Sequence, residues 1–339
     1  MKKSFKVLIG VVGGLFIAIS LVMCCVVGIS YTGEAEDYFG GEANPYISAD
    51  GAMVSAHRAG SSVAPENTLH AFELGIEEAT TGGYKVDIWE FDLHITADEQ
   101  LILLHDHTLD RTSDSEQVFG VKDARPEDYP LAELKKLNMG HNFELNGEYP
   151  FRDLTPEEVT DAGLDVCTLG DVLDYMESDE ARAAAPDGRF SYIIEIKNSG
   201  KLGERAADLL YAELASRGLL PYVVFGTFNQ NVSDYVDAHY PDMLRSSSIC
   251  EVLDFWLAYR TGADLSKRGV GYCALQIPYS SSISFLGTKG LIEYAHKYNI
   301  AVQYWTINEE EDMRHLQSIG ADCIMSDKPD LCYSVLRGE

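Results

Sequence analysis

From residue 52 onward, short runs rich in β-branched and aromatic residues alternate with helix-like stretches, and this alternation confines the chain to the α/β class with parallel strands. The runs fall at 52–57, 86–93, 101–105, 192–197, 222–228, 244–249, 274–278, 301–306 and 323–326. That is one more than the eight strands of a (β/α)8 barrel. Loop length accounts for the surplus. Only a brief polar turn around Ala97-Asp98-Glu99 separates the second run from the third, whereas a parallel crossover needs about a dozen residues or more. Those two runs are expected to form an antiparallel hairpin, which leaves eight for a (β/α)8 TIM barrel. Folding back near residue 98 also predicts that His105 comes to lie beside Glu90 and Asp92. More than eighty residues separate His105 from the run at 192. A connection that long predicts an insertion after the second barrel strand, over residues 107–168. Its Phe143, Tyr149, Pro150 and Phe151 read first as the insertion's own small core and second as the lining of a cleft.

The start of the chain is a separate object. Lys2, Lys3 and Lys6 precede an uncharged, proline-free run at 7–29, and Glu34, Glu36 and Asp37 follow it. The run matches the ~20 residues that cross a bilayer. It predicts one N-terminal transmembrane helix within residues 1–30, a bilayer partner through 7–29, and a folded domain on the extracytoplasmic side. A cleaved signal releasing a secreted domain, or lipidation at Cys24 or Cys25, are the alternatives. Residues 31–51 read as a polar spacer, and 52–339 as the barrel domain with its insertion. With 54 acidic against 26 basic residues and a formal net charge of -28, the chain is no binder of nucleic acid. The same charge repels anions unless local cations reverse the field at a site. Cys167, Cys250, Cys273, Cys323 and Cys332 show no paired spacing and read first as small buried hydrophobes, with one disulfide in an exported domain as the alternative. Nothing in the sequence fixes an oligomeric state.

Polar side chains collect where the apolar runs stop. Glu90 and Asp92 alternate along one run, so they share a face, and two like charges there are costly unless a cation lies between them. The plain alternative is a solvated strand face. Glu195, inside the apolar string Tyr192-Ile193-Ile194-Glu195-Ile196-Lys197, argues against it by adding a third acid. Three carboxylates without cysteine or a cluster of imidazoles suit one hard divalent cation, Ca²⁺ or Mg²⁺. His57 and His105 each end a run, which puts them at the barrel rim as a candidate acid/base pair. Either alone would read as a hydrogen-bonded structural residue. Asp106 orients an imidazole or pairs with Arg111. Arg58 and Lys197 offer positive charge for a phosphoryl group, with surface ion pairing as the duller account. Asn67-Thr68 reads as a helix cap, leaving Glu66 free near the site. Trp305 and Phe228 end runs at the mouth, where an aromatic ring packs a substrate's carbon skeleton or fills core space.

Several strings carry a specific resemblance. They are Ala56-His57-Arg58-Ala59-Gly60, Ala64-Pro65-Glu66-Asn67-Thr68-Leu69, Glu90-x-Asp92-Leu93-x-Ile95-Thr96, His105-Asp106 and Leu109-Asp110-Arg111-Thr112. Further along come Thr168-Leu169, Glu195-Ile196-Lys197, Phe228-Asn229, Trp305-Thr306-Ile307-Asn308, Gly320-Ala321-Asp322 and Ser326-Asp327-Lys328-Pro329. In this order they resemble the glycerophosphodiester phosphodiesterase family from about residue 52 to the C-terminus. The resemblance implies a TIM barrel that hydrolyses glycerophosphodiesters to an alcohol and sn-glycerol 3-phosphate. It also implies a divalent cation on Glu90, Asp92 and Glu195, with His57 and His105 as acid and base. Arg58 would contact phosphate, with Glu66 and Lys197 in support. Three positions depart from the family pattern: Ala59 stands before Gly60, Glu99 occupies the hairpin turn where a glycine is usual, and Ser326 replaces a common threonine. Two rival readings are a lysophospholipid- or phosphoinositide-type phosphodiesterase on the same barrel and a non-catalytic binder of polyglycerol phosphate. Binding alone needs no acid/base pair, which weighs against the latter.

Overall fold

The computed structural model describes residues 39–338, apart from 268–269 and 281–282. The expected anchor therefore lies outside the described residues, and among these no helix is long and apolar enough to cross a membrane.

The described strands are β1 (Met53–Ala56), β2 (Ile88–Ile95), β3 (Leu101–Leu103), β4 (Ser191–Ile196), β5 (Val223–Gly226), β6 (Ala274–Pro278), β7 (Ala301–Trp305) and β8 (Cys323–Ser326). They pair in the order β5-β4-β2-β1-β8-β7-β6, all parallel. β3 alone is antiparallel, folded back on β2 with Leu93 opposite Leu103. The hairpin expectation holds. Its turn keeps Glu99 in the left-handed region at φ 58, where a glycine would sit unstrained. Thr96 closes the turn, with its hydroxyl on Asp98 and its backbone N–H on the Gln100 carbonyl.

The expected strand at 244–249 shrinks to two bridging residues. Arg245 pairs with Phe225 and Ser246 with Ala274, and these bridges join β5 to β6 and close the barrel. A longer strand is blocked because Ser248 caps a helix: its side chain accepts from Glu251 N, and Glu251 bonds back to the Ser248 backbone. Arg245 occupies the gap, buried and shared between Glu251 and Asp237.

A helix follows each barrel strand: α1 (Leu69–Thr81), α2 (Leu169–Met176), α3 (Gly200–Arg217), α4 (Gln230–His239), α5 (Ile249–Thr261), α6 (Lys289–His296), α7 (Glu310–Ser318) and α8 (Pro329–Arg337). Thr68 caps α1 and Thr168 caps α2, each accepting from the backbone three residues on. α1 packs closely on β2 because Gly75 leaves room for the Trp89 ring.

Between β3 and α2 the insertion has an aliphatic core of Ile102, Leu104, Leu109, Leu134, Leu137, Met139 and Val166. This corrects the expectation of an aromatic core. Phe143 and Phe151 pack on each other and Phe151 on His70, while Tyr149 is exposed under the Arg152 guanidinium. The aliphatic outer side of the hairpin supplies the nucleus that the rings were expected to provide.

Residues 39–51, read as a spacer, lie across the floor of the barrel where the strands begin. Asn44 donates to the Cys273 and Asn299 carbonyls, Ser48 N–H donates to Asp322, and buried Tyr46 joins Ile88, Ile193, Val224, Ala274 and Cys323. Cys167, Cys273, Cys323 and Cys332 are free and buried, whereas Cys250 is disulfide-bonded, which corrects the reading of all five as unpaired hydrophobes.

Candidate active site

β2 places the acids. All eight of its residues are buried, because β1 and β4 flank it and the hairpin and α1 cover it. Glu90 and Asp92 are 3% and 1% exposed, so they are not a solvated face. The β2–β4 register sets Asp92 beside Glu195, which brings the third carboxylate from a hundred residues away. Lys197, two residues further along, puts its ammonium 2.9 Å from both Asp92 and Glu195. Asn67, itself in the left-handed region at φ 56, donates to Asp92 at 3.0 Å.

The electrostatics record a surplus of negative charge. Burial and then repulsion from Asp92 push Glu90 up to about 8, and burial with the same neighbour pushes Glu195 up to about 7. Burial alone would raise Asp92 too, but Lys197, His105 and Arg58 hold it below the usual carboxylate range. Acids that resist ionisation in this way fit a site short of positive charge, and an all-oxygen set of carboxylates fits a hard divalent cation. Among the described residues, no three His, Cys, Asp or Glu side chains converge to hold a metal as they stand. Lys197 lies between two of them.

Both histidines sit where β1 and the hairpin end. His57 opens a tight turn in which Arg58, Ala59 and Gly60 are all left-handed, at φ 52, 62 and 99. Ala59 thus takes, at a cost of roughly 1–2 kcal/mol, the conformation a glycine would enter freely. The turn aims the Arg58 N–H at Glu90, 2.6 Å away. His57 Nδ1 is 2.6 Å from Asp327 Oδ1, leaving Nε2 toward Glu90 at 4.0 Å. Burial opposes the imidazolium, yet Glu90 and Asp327 outweigh it and raise the His57 pKa. At the hairpin end, Leu104 N–H reaches the Asp92 carbonyl, so the next residue, His105, stands by the acids as expected. His105 Nδ1 is 2.7 Å from Asp106. Burial, with Lys197 and Arg58, lowers its pKa against the pull of Asp92.

Arg111 ties this half together. Its guanidinium takes Asp106 on one edge and Glu66 at 2.8 and 2.7 Å on the other. Asp106 therefore does both things expected of it, orienting His105 and pairing with Arg111. Glu66 is not free: it also accepts from Arg58 at 3.2 Å. Arg58 Nε, buried 3.7 Å from Asp92, has no hydrogen-bond acceptor among the described residues. Phe228 follows β5 and is 54% exposed; its ring meets Trp305 edge-on at 5.8 Å, and Lys197 Nζ lies 5.9 Å from its centre. These rings form one wall of the mouth.

Over residues 57–331 the chain matches the glycerophosphoryl diester phosphodiesterase family. The chain belongs to that family. It is an enzyme of the phosphodiester-hydrolase class. It is 29% identical over 306 residues to a glycerophosphodiester phosphodiesterase of Bacillus subtilis, covering 86% of this chain and 89% of the relative. A Caldanaerobacter subterraneus enzyme of the same name is 26% identical over 289 residues, covering 84% and 98%. Among solved structures, a glycerophosphoryl diester phosphodiesterase from Silicibacter pomeroyi superposes with a TM-score of 0.63 at 22% identity, covering 86% of this chain and 95% of the other. An Oleispira antarctica phosphodiesterase, solved with sn-glycerol-3-phosphate, superposes with a TM-score of 0.59 at 20% identity, covering 85% and 97%. At those identities the likeness establishes the fold, a TIM barrel.

Within this family member, residue-by-residue reasoning gave Asp327 and Asn308 no role. Asp327 accepts from His57, from Ser61 at 2.6 Å and from Asn308 at 2.6 Å. Against the opposing effect of burial, these bonds hold its carboxyl far below the usual range. The signal was available in the topology. In a closed barrel the last strand pairs with the first, and the Ala56–Ser326 register puts the residues that follow, His57 and Asp327, side by side.

Proposed function

We propose that this enzyme hydrolyses glycerophosphodiesters to an alcohol and sn-glycerol 3-phosphate with the help of one divalent cation. The observation that carries the reading is the pairing of each rim histidine with its own aspartate, His57 with Asp327 and His105 with Asp106, on either side of buried Glu90 and Asp92. Each aspartate fixes Nδ1 as the protonated nitrogen and leaves Nε2 for proton transfer at the mouth. One imidazole takes a proton from the attacking hydroxyl, of water or of the substrate's own glycerol, and the other gives one to the departing alkoxide. Arg58 and Lys197 hold the phosphoryl group in place, and Arg58 Nε is a buried donor available to an oxygen of it. Glu66 and Arg111 keep Arg58 and Asp106 in position. Glu90, Asp92 and Glu195 would hold Ca²⁺ or Mg²⁺, which supplies Lewis-acid stabilisation of charge on phosphate when bound. Residues 7–29 are proposed to anchor the enzyme with its barrel outside the membrane.

Product analysis tests the reading. Glycerophosphocholine, glycerophosphoethanolamine and glycerophosphoglycerol should each release glycerol 3-phosphate, and His57→Ala or His105→Ala should lower kcat by roughly 10²-fold or more with the circular dichroism unchanged. A variant with near-wild-type turnover would refute the acid/base assignment. Chelation should remove activity and Ca²⁺ or Mg²⁺ restore it; an indifferent enzyme would refute the cation. A second reading, cleavage of a lysophospholipid, is favoured by one observation, the exposed Phe228 ring set against half-buried Trp305. Release of a lysophosphatidic acid in the same assay would establish it.

A further inference from the structure

We infer that Gly226, Ser246 and Gln276, backed by Gln303, form a subsite inside the barrel for the terminal hydroxyl of the substrate's glycerol arm. This rests on the function proposed above and adds to it the residues that recognise the glycerol. Strand periodicity places them. Ile88, Ile193, Val224, Ala274, Ala301 and Cys323 meet in one cluster on the barrel's inner side, together with Tyr46 of the floor. Side chains on a strand return to the same face every second residue, so the next tier toward the mouth holds Glu90, Glu195, Gly226, Gln276 and Gln303. The registers agree, pairing Glu195 with Gly226 and Gln276 with Gln303. Ser246, bridged to Ala274, fills the place between β5 and β6. One step further along the strands lie Lys197, Phe228 and Trp305, at the mouth itself. One sector of the tier thus supplies two of the proposed cation ligands. The sector beside it carries amides and a glycine, where a (β/α)8 barrel ordinarily packs branched aliphatic side chains.

Those amides are not spent on one another. Gln276 Nε2 donates to Gln303 Oε1 at 3.1 Å. Gln303 is fully buried, yet its own Nε2 has no acceptor among the described residues, which is costly in a closed interior. Gln276 is only partly buried, and its Oε1 is turned toward Gly226. A Cβ at Gly226 would lie 3.4 Å from that oxygen and 3.5 Å from Ser246 Oγ, so the missing side chain leaves room for one small group in contact with two polar atoms. A hydroxyl suits the place, because it donates to the amide oxygen while accepting from the serine. An anionic group does not, with Glu195 alongside. The glycerol arm is the part of the substrate that carries a hydroxyl well away from phosphorus. With phosphate held at the mouth by Arg58 and Lys197, Phe228 and Trp305 flank the carbon chain, and its terminal hydroxyl reaches the tier below.

Steady-state kinetics of the full chain on glycerophosphocholine, and on the analogue in which propylene glycol replaces glycerol and only the terminal hydroxyl is lost, test the assignment. Wild type should favour the glycerol diester by about tenfold in kcat/KM. Gln276→Leu removes the discriminating acceptor and should bring the two diesters within about twofold of each other. Gly226→Ala fills the recess without a close contact and should raise KM for glycerophosphocholine by about fivefold, with Tm at or above the wild-type value. Equal kcat/KM in wild type, an unaltered ratio in Gln276→Leu, or an unaltered KM in Gly226→Ala would each overturn the inference. Failure of wild type to hydrolyse either diester would instead defeat the function proposed above. The subsite is then still read by NMR titration with sn-glycerol 3-phosphate and propylene glycol phosphate. Wild type should bind the former several times more tightly and Gln276→Leu should not; equal or undetectable binding in wild type overturns the assignment.

Discussion

An imidazole at the end of a strand can serve many purposes, and what makes His57 useful is the company it keeps. Asp327 is pinned by Ser61 and Asn308, so it cannot turn away from the His57 ring. Asp327→Asn keeps the shape but weakens the hold on the protonated Nδ1, so kcat should fall by roughly 10²-fold or more while KM and Tm stay near wild type. A kcat within threefold of wild type would show that Asp327 is only a packing residue. The same residues mark the limit of reading one position at a time. His57, Glu90, Asp92, His105 and Glu195 announce themselves because each interrupts or ends an apolar run. Asp327 does so as well, after the run ending at Ser326, but its meaning depends on which strand lies next to it. Arg111 and Glu66 sit in loops, where charge is ordinary and no periodicity flags it.

Among the elements, β2 is under the greatest demand: it carries two acids on its inner side and must be sealed on every other. The seal with α1 depends on Gly75. A Cβ there would lie 2.4 Å from Trp89 Cη2. Gly→Ala in an exposed helix usually gains about 1 kcal/mol, but Gly75→Ala should lose roughly 1–3 kcal/mol by overpacking. Urea denaturation would measure this, and pairing the change with Trp89→Phe should recover part of the loss. Across the barrel, the strand missing at 244–249, between β5 and β6, is replaced by Arg245. Arg245→Met leaves Glu251 buried without its cation and should cost roughly 3–5 kcal/mol, read as a large drop in the urea midpoint; a small drop would show that the bridges at Arg245 and Ser246 hold unaided. Strand and hairpin were legible from period and loop length because both are local constraints. The loss of the strand between β5 and β6 was not, because 244–249 has acceptable β character and only the Ser248–Glu251 cap, competing for the same backbone, decides against it.

For the molecule as a whole, the floor of the barrel matters as much as its mouth. Asp322 is a hub there: it accepts from Ser48 N–H, Val302 N–H and His296, which ties residues 39–51, β7 and α6 to the start of β8. The bond to Asp322 raises the His296 pKa above its ordinary value. A histidine raised on folding contributes its full stabilisation below the unfolded pKa of about 6.5 and loses it as pH climbs through the folded value. The Tm difference between wild type and His296→Ala should therefore be largest near pH 6 and shrink toward pH 9; a difference independent of pH would show that the imidazole is neutral throughout. The floor segment escaped the sequence reading because its composition is that of a linker. Only Asn44 and Tyr46 distinguish it, and both act through partners far along the chain. That segment also separates the two ends of the barrel. The described chain enters the fold at the base, against Asn299 and Asp322, at the far end of the strands from His57 and His105. The catalytic opening is left clear of residues 39–51, and a diester reaches the two imidazoles without crossing them.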